Sequence, residues 1–262
     1  MRVIFVTIFL VNILFGSNHM AKIEPLEIYS IKSAVNGKVV KSVLSKETKS
    51  VDGFEIIKID SKTDIENLRF LKTELKNLQN ILKINEKVLE NLKELSKIKK
   101  ENFNRIKNLK TKSKFEKDTK LADYLIINNQ YQNQKEKILN LKNQIANIKY
   151  NIKRLEDILE KKSIKVFGYV YKIYVKSGDY VAPGTKLVDV ADISKGKIVI
   201  YLDKDEIENI ENKKIYIDGK ETNLWFNKID KIADPVHISA YRAEILIDAP
   251  KIFSKIVKVE IK

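Results

Sequence analysis

The chain has 262 residues, with 50 Lys and Arg against 35 Asp and Glu, a net charge of +15, and no cysteine. Disulfides and thiolate metal sites are excluded, and two His and two Met leave few soft ligands for any metal. The basic excess admits nucleic acid or an acidic surface as partner, and where the charge sits decides between them.

Met1 and Arg2 precede an apolar run over residues 3–15, broken by Thr7 and Asn12 and followed by the small residues Gly16 and Ser17. This layout predicts a secretory signal peptide over residues 1–16, cleaved after Gly16, with an uncleaved anchor as the alternative. The run is shorter than the ~20 residues a membrane span needs, and no later run is long enough. No Cys follows it, so a lipoprotein anchor is excluded. Residues 20–33 read as a linker leading into a strand.

Two β-type segments share one layout at an offset of 131. Val35, Asn36 and Gly37 match Val166, Phe167 and Gly168. Val39 matches Val170, Gly53 matches Gly184, and Ile56, Ile57 and Ile59 match Leu187, Val188 and Val190. A gapless repeat interrupted by other sequence is a specific signal. Glu47 stands where the second copy has Gly178, so the first turn needs a different construction. Each half is too small to fold alone, so residues 30–60 and 164–191 are expected to pair into one domain.

Between Gly53 and Gly168 there is no Gly or Pro. Within this gap Leu68, Leu71, Leu75, Leu78, Leu82, Leu89 and Leu92 keep a 3-4 spacing, as do Ile138, Leu141, Ile145, Ile148, Ile152 and Leu155. Such sustained spacing predicts a coiled coil over residues 62–162. Asn85, Ser96, Lys99 and Gln134 fall in phase and are candidates to fix its register. Four consecutive polar seam positions, Lys110, Ser113, Lys117 and Lys120, mark a reversal, and Ser113 with Glu116 fits a capping box. Two arms of 45 residues follow, 65–109 and 115–159, each roughly 68 Å long. Folding back is required because the two β halves must meet.

Residues 195–262 read as further short strands with one helical turn containing Ile207 and Ile210, the pattern of a small β-barrel. No phosphate loop, paired-His motif or nucleophile elbow is present. His19 and His237 lie far apart, and His237 reads as a loop histidine. The chain reads as a non-enzyme without cofactor or metal. Residues 62–162 hold 25 basic and 14 acidic residues, and 105–120 alone hold seven and two. Phe115 stands alone among the lysines there rather than in an interleaved aromatic series, and an exported chain does not meet nucleic acid, so that partner is set aside.

A split β repeat around a long hairpin, then a small barrel, resembles the periplasmic adaptor (membrane fusion) proteins of the HlyD-like family. The residues that carry this are Phe167-Gly168-Tyr169-Val170, the stretch from Val175 through Gly178, Asp179, Val181, Pro183 and Gly184 to Leu187, and Val199 through Asp203 to Ile207. The resemblance implies a multi-domain, elongated α+β fold. In it a long antiparallel α-helical hairpin (coiled coil) is inserted in a split lipoyl-like β-domain, followed by a small β-barrel. It implies a periplasmic, inner-membrane-associated adaptor that joins an inner-membrane transporter (RND or ABC type) to an outer-membrane channel for efflux or secretion, several copies forming a ring. The alternatives are a periplasmic coiled-coil scaffold without a transporter, or a lipoyl- or biotinyl-type carrier. The carrier's acceptor Lys belongs on the turn that the hairpin here replaces. In related efflux adaptors an Arg-Leu-Ser pattern at the hairpin tip meets the channel. Arg105, Leu109 and Ser113 resemble it, with the Leu-to-Ser spacing shorter by about a turn. A membrane-proximal domain is reduced to residues 256–262 or missing, and the few Met and His disfavour metal export.

Overall fold

A computed structural model describes residues 17–234, 237 and 240–262. The signal-peptide assignment, on residues 1–16, lies outside them. In chain order the elements are β1 (Ser17–Lys32), β2 (Gly37–Ser42), β3 (Ser50–Ile59), α1 (Lys62–Ile106), α2 (Lys114–Lys161), β4 (Ser163–Ile173), β5 (Tyr180–Val181) and β6 (Lys186–Leu202). Then follow α3 (Lys204–Ile207), β7 (Ile215–Ile217), β8 (Lys220–Glu221), β9 (Phe226–Ile229), β10 (Tyr241–Asp248) and β11 (Ile256–Ile261). Residues 59–164 form one compact unit, and the remaining described residues form the other.

The helical unit is the antiparallel hairpin that the heptads predict. Helix α1 has 45 residues and α2 has 48. The α2 seam residues Ile138, Leu141, Ile145, Ile148, Ile152 and Leu155 are buried, each worth about 1.5–3 kcal/mol. Toward the reversal, Tyr124, Ile127 and Tyr131 are only half-buried. Polar pairs help to hold that half. The Gln134 side-chain amide donates to the Asn85 carbonyl at 3.0 Å and to its Oδ1 at 2.9 Å, while Asn85 Nδ2 donates to Ile81 O at 2.7 Å. Lys99 meets Asp123 at 3.2 Å. Lys72–Glu156 and Lys142–Glu86 pair along the outside in the same antiparallel register. At the open end Ile59 N–H donates to Lys162 O at 2.9 Å, and Lys162 also pairs with Asp64. Helix α1 starts and stops about one turn earlier than the seam alone implies, since Leu109 keeps the phase but sits in the reversal.

In the β unit the strand order is β5-β2-β3-β4-β6-β1-β11-β7-β8, with β10 pairing β6 and β9. The two repeat halves interlock through equivalent residues. Val39 N–H donates to Asp179 O at 2.8 Å and Gly178 N–H donates back to Val39 O at 2.8 Å. In mirror fashion Thr48 N–H donates to Val170 O at 2.8 Å, and Val170 N–H to Lys49 O at 3.0 Å. Val39 with Val170, Ile56 with Leu187, and Ile57 with Val188 are all fully buried. Gly53 and Gly184 both take left-handed φ, +64° and +89°, where a side chain is strained. Where the first half lacks its glycine, a 3₁₀ turn over Leu44–Lys46 replaces it, and the Glu47 carboxylate accepts Ile173 N–H at 2.7 Å. On β6 the buried Asp189 accepts from Ser30 Oγ and Tyr174 OH, both at 2.6 Å, and pairs with Lys186 at 2.8 Å. Burial pushes its carboxyl up, but these donors outweigh burial and hold it below the usual carboxylate value.

One difference from the sequence reading concerns residues 20–33. Rather than forming a linker, all but Ser33 belong to the 16-residue strand β1, paired with β11 through Ser17–Ile261 to Lys22–Ile256 and with β6 from Ile23 onward. Its alternation is short, with Ala21 and Ile23 inward and Lys22 and Glu24 outward. Pro25 then interrupts it at a register shift, where the missing N–H costs no ladder bond. Ala21 and Ile23 enter the barrel core with Ile198, Ile200, Leu202, Ile215, Ala243, Ile245 and Val259. The partly buried Ile207 and Ile210 of the helical turn pack against it.

Candidate functional site

The reversal of the hairpin is built by local hydrogen bonds. Lys107 N–H donates to Phe103 O at 3.0 Å, closing α1, and Leu109 N–H donates to Ile106 O at 3.0 Å. Ser113 starts α2 through a complete capping box. Its Oγ accepts Glu116 N–H at 3.1 Å, and the Glu116 carboxylate accepts Ser113 N–H at 3.0 Å. Lys112 Nζ adds a contact to Glu116 at 3.1 Å. The Glu116 carboxyl is held below its ordinary value, first by the Lys112 hydrogen bond and then by the Ser113 N–H.

Arg105, Leu109 and Ser113 all fall at this end of the hairpin, on different parts of it. Arg105 lies exposed on the last turn of α1, Leu109 in the loop at 45% exposure, and Ser113 at the α2 N-cap. Ser113 has a structural task that accounts for it. Phe115, to which the periodicity gives no role beyond opening the second arm, is 80% exposed. Its signal is placement: the half-buried seam near it runs through Lys117 and Leu121, so Phe115 points away from the seam.

No protein-family model matches the chain, and no curated protein does. Among solved structures it is similar to MacA of Actinobacillus actinomycetemcomitans, with a TM-score of 0.67 and 19% identity, covering 94% of this chain and 78% of that one. A MacA chimera carrying the Pseudomonas aeruginosa MexA α-hairpin domain gives 0.60 at 17% identity, covering 94% and 81%. The membrane fusion protein Spr0693 of Streptococcus pneumoniae R6 gives 0.51 at 10% identity, covering 94% and 98%. At these identities the likeness is one of fold. The fold is that of a membrane fusion protein. It is the α+β arrangement expected from the sequence, with a hairpin set into a split lipoyl-like domain and a barrel after it.

Within this membrane fusion fold, no helix among the described residues is long and apolar enough to cross a membrane. The two histidines, unrelated in sequence, line one cavity of about 570 Å³ in the β unit with Tyr201 and Arg242. His19 Nε2 lies 3.0 Å from Glu206, and His237 lies 3.2 Å from Asp234 and stacks on Tyr201 with centroids 3.8 Å apart. Among the described residues, no three His, Cys, Asp or Glu are grouped to hold a metal ion.

Proposed function

We propose that the chain is an exported, non-catalytic periplasmic adaptor, associated with the inner membrane. It links an inner-membrane transporter, of RND or ABC type, to an outer-membrane channel for efflux or secretion, as a ring of copies. The observation that carries this reading is the hairpin itself. Its long arms are inserted in sequence between the two halves of the β domain, and they join at a reversal that buries little and exposes charge. The MacA, MacA–MexA and Spr0693 likenesses support the architecture this reading needs. Arg105 and Leu109 contact the channel, and Ser113 holds the loop that presents them. The mechanism is geometric: a rigid spacer couples two membrane machines.

The test is affinity purification of the full chain from membranes of its own cells. The expected result is recovery of both an inner-membrane transporter and an outer-membrane channel. Replacing residues 107–112 with a Gly- and Asn-rich turn should release the channel and keep the transporter. Recovery of neither partner from the unmodified chain contradicts the reading and favours the coiled-coil scaffold.

A further inference from the structure

Building on the adaptor reading, we propose that the hairpin tip recognises an acidic protein surface bearing an apolar socket. The surface's carboxylates would face Lys107, Lys110 and Lys114, and its socket would take Phe115. Residues 105–120 carry seven basic and two acidic residues, whereas the rest of 62–162 carries 18 and 12. On the arms 12 carboxylates stand among the 18 cations, and some of them pair, as in Lys72–Glu156, Lys142–Glu86 and Lys161–Asp157. At the tip Glu116 is committed to Ser113 and Lys112. Arg105, Lys107, Lys110, Lys114 and Lys117 take part in no ion pair among the described residues. The N-terminus of α2, where Lys114 sits, adds positive partial charge of its own.

The 80%-exposed Phe115 among these cations gives the same surface an apolar point of contact. A second copy is a poor occupant, because like charges would face each other. A bilayer surface calls for a continuous apolar face. The tip offers only Leu109, in the loop, and Phe115, in the first turn of α2, as exposed large apolar groups. A protein with a carboxylate rim and one apolar pocket satisfies both observations.

The experiment is the same co-purification, made on Lys107→Glu/Lys110→Glu/Lys114→Glu, on the matching triple Arg variant and on Phe115→Ala. Vesicles of phosphatidylglycerol and phosphatidylcholine are added as a second probe of the purified chain. The Glu triple should lower channel recovery about tenfold or more while the Arg triple retains it, since several rim charges are reversed at once. Phe115→Ala should lower it severalfold, and added salt should act like the Glu triple. Transporter recovery should stay unchanged throughout, which also shows that each variant is folded. Channel recovery that survives the Glu triple overturns this inference and leaves the adaptor reading standing. Absence of any channel with the unmodified chain overturns both. Vesicle binding lost in the Glu triple while channel recovery is kept assigns the tip to a lipid surface and overturns the inference too.

Discussion

Asn85 and Gln134 decide how the arms of the hairpin meet. Each occupies a seam position that leucine would fill more stably, yet together they satisfy one another across the pair. A buried amide without a partner costs more than the pair contributes, so one register is favoured over its slips. Asn85→Ala should cost about 1–3 kcal/mol in chemical denaturation, because it removes the Oδ1 acceptor and leaves Gln134 only the main-chain carbonyl of position 85. Gln134→Ala in the same background should add little, leaving a coupling of about 0.5–3 kcal/mol in a double-mutant cycle. Simple additivity would mean that the pair sets no register. These positions were legible in the sequence as polar interruptions of the heptad, though their pairing was not. Which residue of one arm faces which of the other depends on where the reversal falls, and the seam keeps its phase straight through it. Glu47 is similar: the sequence marks a turn without its glycine, but only the fold brings Ile173 N–H to its carboxylate.

The element most exposed to local change is the first turn of α2. It has little apolar burial, and its start rests on the Ser113–Glu116 box. The folded-state pKa of Glu116 is depressed, so its contribution is present above the ordinary carboxylate range and is lost as pH falls through the folded value. Acidification should therefore fray Lys114–Lys117 before the buried Ile138–Leu155 seam, as read by amide hydrogen exchange. Ser113→Ala should produce the same fraying at neutral pH, and Ser113→Asp should not. Equal protection of both regions down to acid unfolding would show that the box is dispensable. The helices were readable from residue spacing because their apolar period is long and uninterrupted. Strand β1 was missed because its alternation is only two pairs long before Pro25, and its partners β6 and β11 lie far along the chain. Phe115 was legible as off the seam phase, but its exposure depends on the reversal leaving nothing packed against it.

For the whole molecule, the 131-residue offset proved the most informative part of the sequence. It required the two halves to pair, and Val39 with Val170 show how they do, each bonded to the turn of the other half. That pairing makes the helical insert a hairpin with a reversal at residues 107–113, and the likeness to MacA is one of this same fold. The adaptor proposal turns on whether this reversal meets an outer-membrane channel. It is tested most directly by photo-crosslinking in cells, with a photoreactive residue at position 109 and, in a parallel chain, at the outward position 84 on the arm. Capture of an outer-membrane channel protein is expected from position 109 and not from position 84. Capture of only this chain's own copies from both positions would contradict it.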